Sequence, residues 1–322
     1  SKNYLVVMEN RDSYSSIANF LKEQGLIRSS FGYKVYIKLH PPKETLKAGN
    51  HYLRKSMSLS QIIKELGTSP ENTNTMTITF KEGLNIRQIA SIIEKNTTYT
   101  SDEVIAFINN PTYLDKLIKK YWFLTDEIKN PDIYYALEGY LYPNTYEFDK
   151  GVSLEDMIEV MLDEMEKQLE PYKKEFSKTN YTLHQVLTVA SMSEIEAISE
   201  SDREQVARVF YNRLDANMSL GSDVTTYYAA KVNVGERDLY VSELNDVNPY
   251  NTRSASMAGK LPVGPICNPS ISAIKTAIAP APSDYLYFVA DKNRKVYFTK
   301  TDSEHAAIIE KLRNEGLWYE FN

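Results

Sequence analysis

A strand–turn–helix pattern recurs in the first third of the chain and sets the scale of the pieces from which any fold must be built. Leu5-Val6-Val7-Met8 followed by Ile17-Ala18-Asn19-Phe20-Leu21 superposes without gaps on Thr77-Ile78-Thr79-Phe80 followed by Ile89-Ala90-Ser91-Ile92-Ile93, and Ser58 to Leu66 is a shorter echo. Each copy reads as a short strand, a turn and a small amphipathic helix opened by a Ser or Asn cap. In the later copy Gly83 supplies the turn, Asn85 the cap, and Ile86, Ile89, Ala90 and Ile93 one apolar face. Thr100 is placed to cap a further helix through Val104, Ile105 and Ile108. The predicted class is α+β in several units.

The expected boundaries are a repeat-like α+β subdomain over 1–75, a second small unit over 76–110, and a mixed α/β domain over 111–322 whose first part, to about 136, is a connector. The 76–110 segment has the strand–turn–helix–helix order of a LysM module, a small fold that docks on N-acetylglucosamine-containing glycans. A small packing domain without glycan affinity has the same order. Beyond it, helices are predicted at about 153–176, 183–198 and 202–215, the last opened by the capping box Ser201-Asp202-Arg203-Glu204. The stretch from about 219 to 270 is loop-rich and carries Pro249, Pro262, Pro265 and Pro269, which in a compact domain points to a functional surface. A short helix over 272–279, a hairpin of 285–289 with 295–298, and a helix opened by Thr301-Asp302-Ser303-Glu304 and closed by Gly316 complete the chain.

Composition removes several function classes. A formal net charge of −6 leaves no basic surplus to neutralise phosphates, so nucleic acid is not the expected partner. Cys267 is the single cysteine, and the four histidines show no H-x-x-x-H spacing, so neither a disulfide framework nor a His-rich metal site is expected. Phosphate-cradling and nucleophile-elbow motifs are missing, and Cys267 has no histidine near it in sequence. No apolar run approaches the roughly 18–20 residues that span a bilayer. The 24 tyrosines suit cores and strand faces, and also the stacking of sugar rings.

One residue stands out chemically. On a helix from Leu183 to Ile198, Leu183, Leu187, Ala190, Glu194 and Ile198 share a stripe with Ser191 at its edge, while Glu196 points almost opposite. A carboxyl on an apolar face is costly to ionise, so Glu194 is expected to hold its proton more tightly than a free glutamate and to serve as a general acid. A buried structural glutamate paired with Arg208 or Arg213 fits the same pattern.

Four blocks, in order, resemble the YceG-like family of MltG-type endolytic murein transglycosylases, over about residue 130 to the C-terminus. They are Glu138 to Tyr146, Ala190 to Glu196, Val209 to Leu214 continuing through Met218 and Leu220 to Asp223, Thr225 and Tyr228, and Tyr250-Asn251-Thr252 followed by Leu261 to Pro269. The resemblance implies Glu194 as the catalytic residue. It implies a glycan cleft in which Glu138, Tyr140, Tyr146, Ser191, Asn212, Asp223, Thr225, Tyr250, Asn251, Thr252 and Asn268 bind or support substrate. It also implies cleavage of peptidoglycan glycan strands with 1,6-anhydromuramyl ends, without a cofactor or metal, on the extracytoplasmic face of a membrane. An N-terminal anchor ahead of Ser1 and cell-wall synthases or division and elongation proteins as partners belong to the same implication. Two departures stand out: Ile195 replaces a usual lysine and is expected to matter little, and Gly221-Ser222-Asp223-Val224-Thr225 replaces a common Gln-Thr-Asp-Pro-Thr run. A hydrolytic muramidase using Glu138 or Asp223 as second carboxylate, and a non-catalytic wall-binding scaffold, are the alternatives.

Overall fold

A computed structural model of the chain describes residues 3–8, 12–68 and 75–318. The chain divides into two compact units, Ser1–Thr75 and Met76–Asn322. In the first, β1 (Asn3–Met8), α1 (Ala18–Glu23), α2 (Ser30–Leu39) and β2 (Gly49–Arg54) follow in order, and β1 pairs antiparallel with β2, Val6 opposite His51. α3 (Leu59–Gly67) closes the unit, opened by a capping box in which Ser58 and Gln61 satisfy each other's backbone. Its core is Val6, Leu21, Tyr33, Leu53, Ile62 and Leu66 with their neighbours. The expected cap on α1 is not there: Ile17 holds that position and makes no side-chain cap, which fits a helix of only six residues.

The second unit runs β3 (Thr75–Thr79), α4 (Ile86–Asn96), α5 (Ser101–Ile108), α6 (Pro111–Lys120), β4 (Thr145–Asp149), α7 (Leu154–Leu169), α8 (Lys173–Phe176), α9 (Leu183–Glu196), α10 (Glu200–Asp215), α11 (Asp223–Ala229), α12 (Val241–Leu244), α13 (Ile271–Ile278), β5 (Tyr287–Ala290), β6 (Val296–Thr299) and α14 (Asp302–Asn314). Its strands form two small sheets, β3 with β4 and antiparallel β5 with β6. Capping boxes start α4 at Asn85, α5 at Thr100, α9 at Thr182 and α14 at Thr301. The box predicted at Ser201 does not form. α10 starts earlier, because the hydroxyl of Ser199 takes the Asp202 amide. The helix predicted over 153–176 is broken after Leu169, where Pro171 sits in a 3-10 turn.

The 76–110 segment has no core of its own. Ile78, Phe80, Ile86, Ile93 and Val104 lie in one continuous apolar cluster with Met157, Leu187, Phe210 and Ile274. Its strand β3 pairs with β4, beyond the predicted boundary, and Asn109 holds Tyr134 and Ala136 through its side chain. The boundary expected near 111 is therefore crossed by core and backbone alike. Among the described residues no helix is long and apolar enough to cross a membrane.

Candidate active site

α9 is not an amphipathic stripe but a central helix. From His184 to Ser193 all but Gln185 is buried, and α10 and α13 pack on it along with α11. The hydroxyls that make one face look polar are satisfied locally: Thr188 donates to the His184 carbonyl (2.8 Å), Ser191 to Thr188 (2.8 Å) and Ser193 to Ala190 (3.1 Å). Leu183 and Gln185 at the start of the helix and its last turn, Glu194 to Glu196, are half-buried.

Glu194 sits on that turn with 9% of its side chain exposed. Its Oε2 accepts from the amide (2.8 Å) and hydroxyl (2.5 Å) of Ser270, the N-cap of α13. Its Oε1 lies 3.5 Å from Nη1 of Arg203, which is itself pinned by the Ile198 carbonyl at 2.7 Å and the Ser272 hydroxyl at 3.0 Å. The partner is thus Arg203 rather than Arg208 or Arg213, whose guanidinium groups bind the carbonyls of Pro280 and Ala281 and of Leu286, Ser219 and Leu220. The surroundings of the carboxylate are donors and a cation, not the apolar face read from the helix period. Gly83, at φ +78°, brings a turn against it: a methyl group on Gly83 would stand 3.9 Å from Glu194 Cγ.

Glu196 leaves the opposite side of α9, as the helix period requires, yet it is not a solvent-facing bystander. Ser222 donates to it at 2.6 Å, and burial, with the Asp223 charge adding to it, pushes its carboxyl up to about 7.

The remaining predicted residues separate by burial. Glu138 is buried and receives the Ile86 amide at 3.0 Å, the Tyr228 hydroxyl at 2.9 Å and the Asn268 amide at 3.0 Å, yet burial outweighs these donors and raises it to about 8. Asn268 spends every valence internally: Oδ1 accepts from Gly139 (3.0 Å) and Leu141 (2.9 Å), Nδ2 donates to Glu138 and Leu84. Tyr140 gives its hydroxyl proton to Nδ1 of His184 (2.7 Å), since Nε2 must carry the proton donated to the Val263 carbonyl. Burial holds His184 below the usual histidine range, so this neutral relay is structural. Tyr146 donates to Tyr142, and Ser191 accepts the Ile266 amide at 3.0 Å. Thr225 and Thr252 bond each other (2.8 Å) and the Ser222 backbone, Asn251 holds Leu244, Asp246 and Thr226, and Tyr250 packs against Tyr134 and Tyr228. Asn212 ties α10 to the Ser283 and Tyr285 carbonyls. Asp223 alone is well exposed, paired with Arg253.

Ten of these eleven side chains are buried or half-buried and bond or pack within the protein, which suits the supporting role. Sequence reasoning missed Arg203, Ser270 and Gly83, the three that meet Glu194. Ser270, directly after Asn268-Pro269 and just before an apolar helix, carried an N-cap signal. Cys267 is buried, its thiol pushed well up by burial and bonded to the Ser191 carbonyl at 3.2 Å, so it is no nucleophile.

Comparison with known proteins agrees over nearly the whole chain. The YceG-like family model matches residues 6–311. An endolytic murein transglycosylase of Bacillus subtilis is 39% identical over 301 residues, covering 93% of this chain and 82% of that one. A protein of the same name from Streptococcus pneumoniae is 33% identical, covering 98% of this chain and 60% of its own length. A crystal structure of a yceG-like protein from Listeria monocytogenes superposes with a TM-score of 0.67 at 33% identity, covering 95% of this chain and 99% of the other. The chain belongs to the YceG-like family.

Proposed function

We propose that the protein is an endolytic murein transglycosylase that cuts the β-1,4 bond between N-acetylmuramic acid and N-acetylglucosamine, with Glu194 as its acid and base. The observation that carries this reading is the Glu194 carboxyl at the half-buried end of a central helix, oriented by Ser270 and Arg203. In the first step Glu194 gives a proton to the bridging oxygen as the bond from muramyl C1 to that oxygen breaks. In the second, as glutamate, it takes the proton of the muramyl C6 hydroxyl, whose oxygen bonds to C1. No water is consumed, and a 1,6-anhydromuramyl end results. The nucleophile is already tethered to its target, which lowers the entropic cost of the second step. Proton transfer by one group contributes roughly 10²–10⁴-fold, so the electrostatics of the walls must supply the rest.

The hydrolytic alternative loses support at both of its second carboxylates. Glu138 is enclosed by three donors, and Asp223 is paired with Arg253, so neither is disposed to activate water. The strand–turn–helix–helix order of 76–110 is what supports a glycan-docking role of LysM type for that segment. An anchor ahead of Ser1 and work on nascent strands beside cell-wall synthases complete the reading. The test is Glu194→Gln, which keeps shape and hydrogen bonding but not proton transfer. It should fold and bind glycan strands yet release almost nothing, at least about 100-fold below wild type. Wild-type fragments should carry anhydromuramyl ends from internal cuts. Reducing muramic ends would identify a muramidase, and undiminished release by Glu194→Gln would remove the assignment.

A further inference from the structure

Beside Glu194 lies a cavity of about 140 Å³ that none of the predicted contacts occupies. Two of its lining residues are neighbours of the acid. Gly83 faces Glu194 Cγ across the turn, and Ile195 is the next residue of α9. The floor is aliphatic: Ile195, Val224, Val232 and Ile266, the last three nearly fully buried. The rim is polar, with Asn85, Gln88, Tyr227 and Asn233.

The rim is not equally committed. Gln88 uses its Oε1 to accept the Asn85 amide at 3.0 Å, which fixes the orientation of its side-chain amide. Among the described residues its NH₂ group then has no protein acceptor, and the Tyr227 hydroxyl no hydrogen-bond partner. Asn85 is spent on Asn233 at 3.1 Å and on the capping box, and Asn233 accepts from Asn85 and Arg87 through Oδ1, which leaves its own NH₂ group without an acceptor among the described residues. Three uncommitted donors, on Gln88, Tyr227 and Asn233, therefore line the space with the aliphatic floor, and no carboxylate does.

We infer that this cavity takes the acetamido group of an N-acetylhexosamine and so registers the glycan strand against Glu194. At about 30 Å³ of liquid volume per water the space is worth four or five waters. It thus suits the four heavy atoms of an acetamido group and not a whole substituted sugar ring. The carbonyl accepts from Gln88 Nε2 or the Tyr227 hydroxyl, and the methyl group rests on Val224, Val232 and Ile266. A free amine would carry a positive charge at neutral pH into an aliphatic space that offers it no counter-charge. Ile195 thereby acquires a task, whereas the sequence reading expected it to matter little.

The inference rests on the proposed activity, and the experiment separates the two. Glycan strands are offered to the full chain in three forms: native, chemically de-N-acetylated, and re-acetylated with acetic anhydride. Wild type should cut de-N-acetylated strands roughly ten- to a hundred-fold more slowly in kcat/KM, a size typical of losing matched contacts in a specificity pocket. Re-acetylation should restore the rate. Val224→Phe, which fills the cavity, should cut native strands as slowly as wild type cuts the amine form and lose the discrimination. Val224→Ile should lie between. Equal wild-type rates on native and de-N-acetylated strands overturn the inference and leave the activity standing. Discrimination that survives undiminished in a folded Val224→Phe also overturns it, by assigning recognition elsewhere. Failure of wild type to cut native strands removes the activity and the inference together.

Discussion

Glu138 and Glu196 are carboxyls that the fold keeps protonated through the range where a free glutamate has lost its proton, because burial outweighs their hydrogen-bond donors and the nearby charges of Arg87 and Arg294. This makes stability depend on pH with a definite sign. The native state holds a proton that the unfolded chain releases, so the contribution is full below about 4.5 and is lost as pH rises towards about 8 for Glu138 and about 7 for Glu196. His184 acts in the opposite sense, since it is held neutral, and it favours folding above its unfolded value of 6.5. The window from about pH 6.5 to 8 therefore isolates the carboxyls best. Across it, Glu138→Gln should show a smaller fall in melting temperature than wild type, even if the variant starts lower. An equal fall in both proteins would mean that Glu138 is already ionised in the native state. None of this was legible in sequence for Glu196. The serine that encloses it comes from a turn 26 positions away, and helix periodicity reports which side a residue leaves by, not what waits there.

At the scale of elements, local signals were read well and packing signals poorly. The caps at Asn85, Thr100 and Thr301 were legible because a cap is a short-range hydrogen bond between a side chain and an amide three residues on. The burial of α9 was not, because its Ser and Thr residues count as polar in any periodicity but pack as small groups once their hydroxyls bond within the helix. The cleft residues named by resemblance mostly make hydrogen bonds that join elements. Asn268 is the clearest case, linking the Leu84 turn to the Gly139–Leu141 turn. Asn268→Ala would leave the Gly139 and Leu141 amides buried without an acceptor. At about 1–3 kcal/mol for each stranded group, a loss of roughly 2–6 kcal/mol is expected in denaturant unfolding, with activity falling through misplacement of the turn at Gly83. A neutral effect on stability would mean that water replaces the lost acceptor.

At the scale of the whole molecule the question is where the chain can be cut. The sequence places boundaries at 75/76 and near 111, and the contacts divide the chain at the first of these. A start at 111 removes β3, α4 and α5, and with them Phe80, Ile86, Ile93 and Val104 from the common core. It also takes away the Gly83 turn beside Glu194 and the Ile86 amide that meets Glu138. Burial of each large apolar side chain is worth roughly 1.5–3 kcal/mol, so the four just named already match the 5–15 kcal/mol that keeps a typical domain folded. A chain starting at 76 should therefore melt cooperatively and cut soluble glycan strands. A chain starting at 111 should be unfolded or aggregated and inactive. The pair is compared by thermal unfolding and by fragment release from the same soluble strands, so that loss of fold is told apart from loss of affinity. A cooperative transition and measurable cleavage from the 111 start would show that the 76–110 segment is an appendage after all, and would restore the boundary near 111.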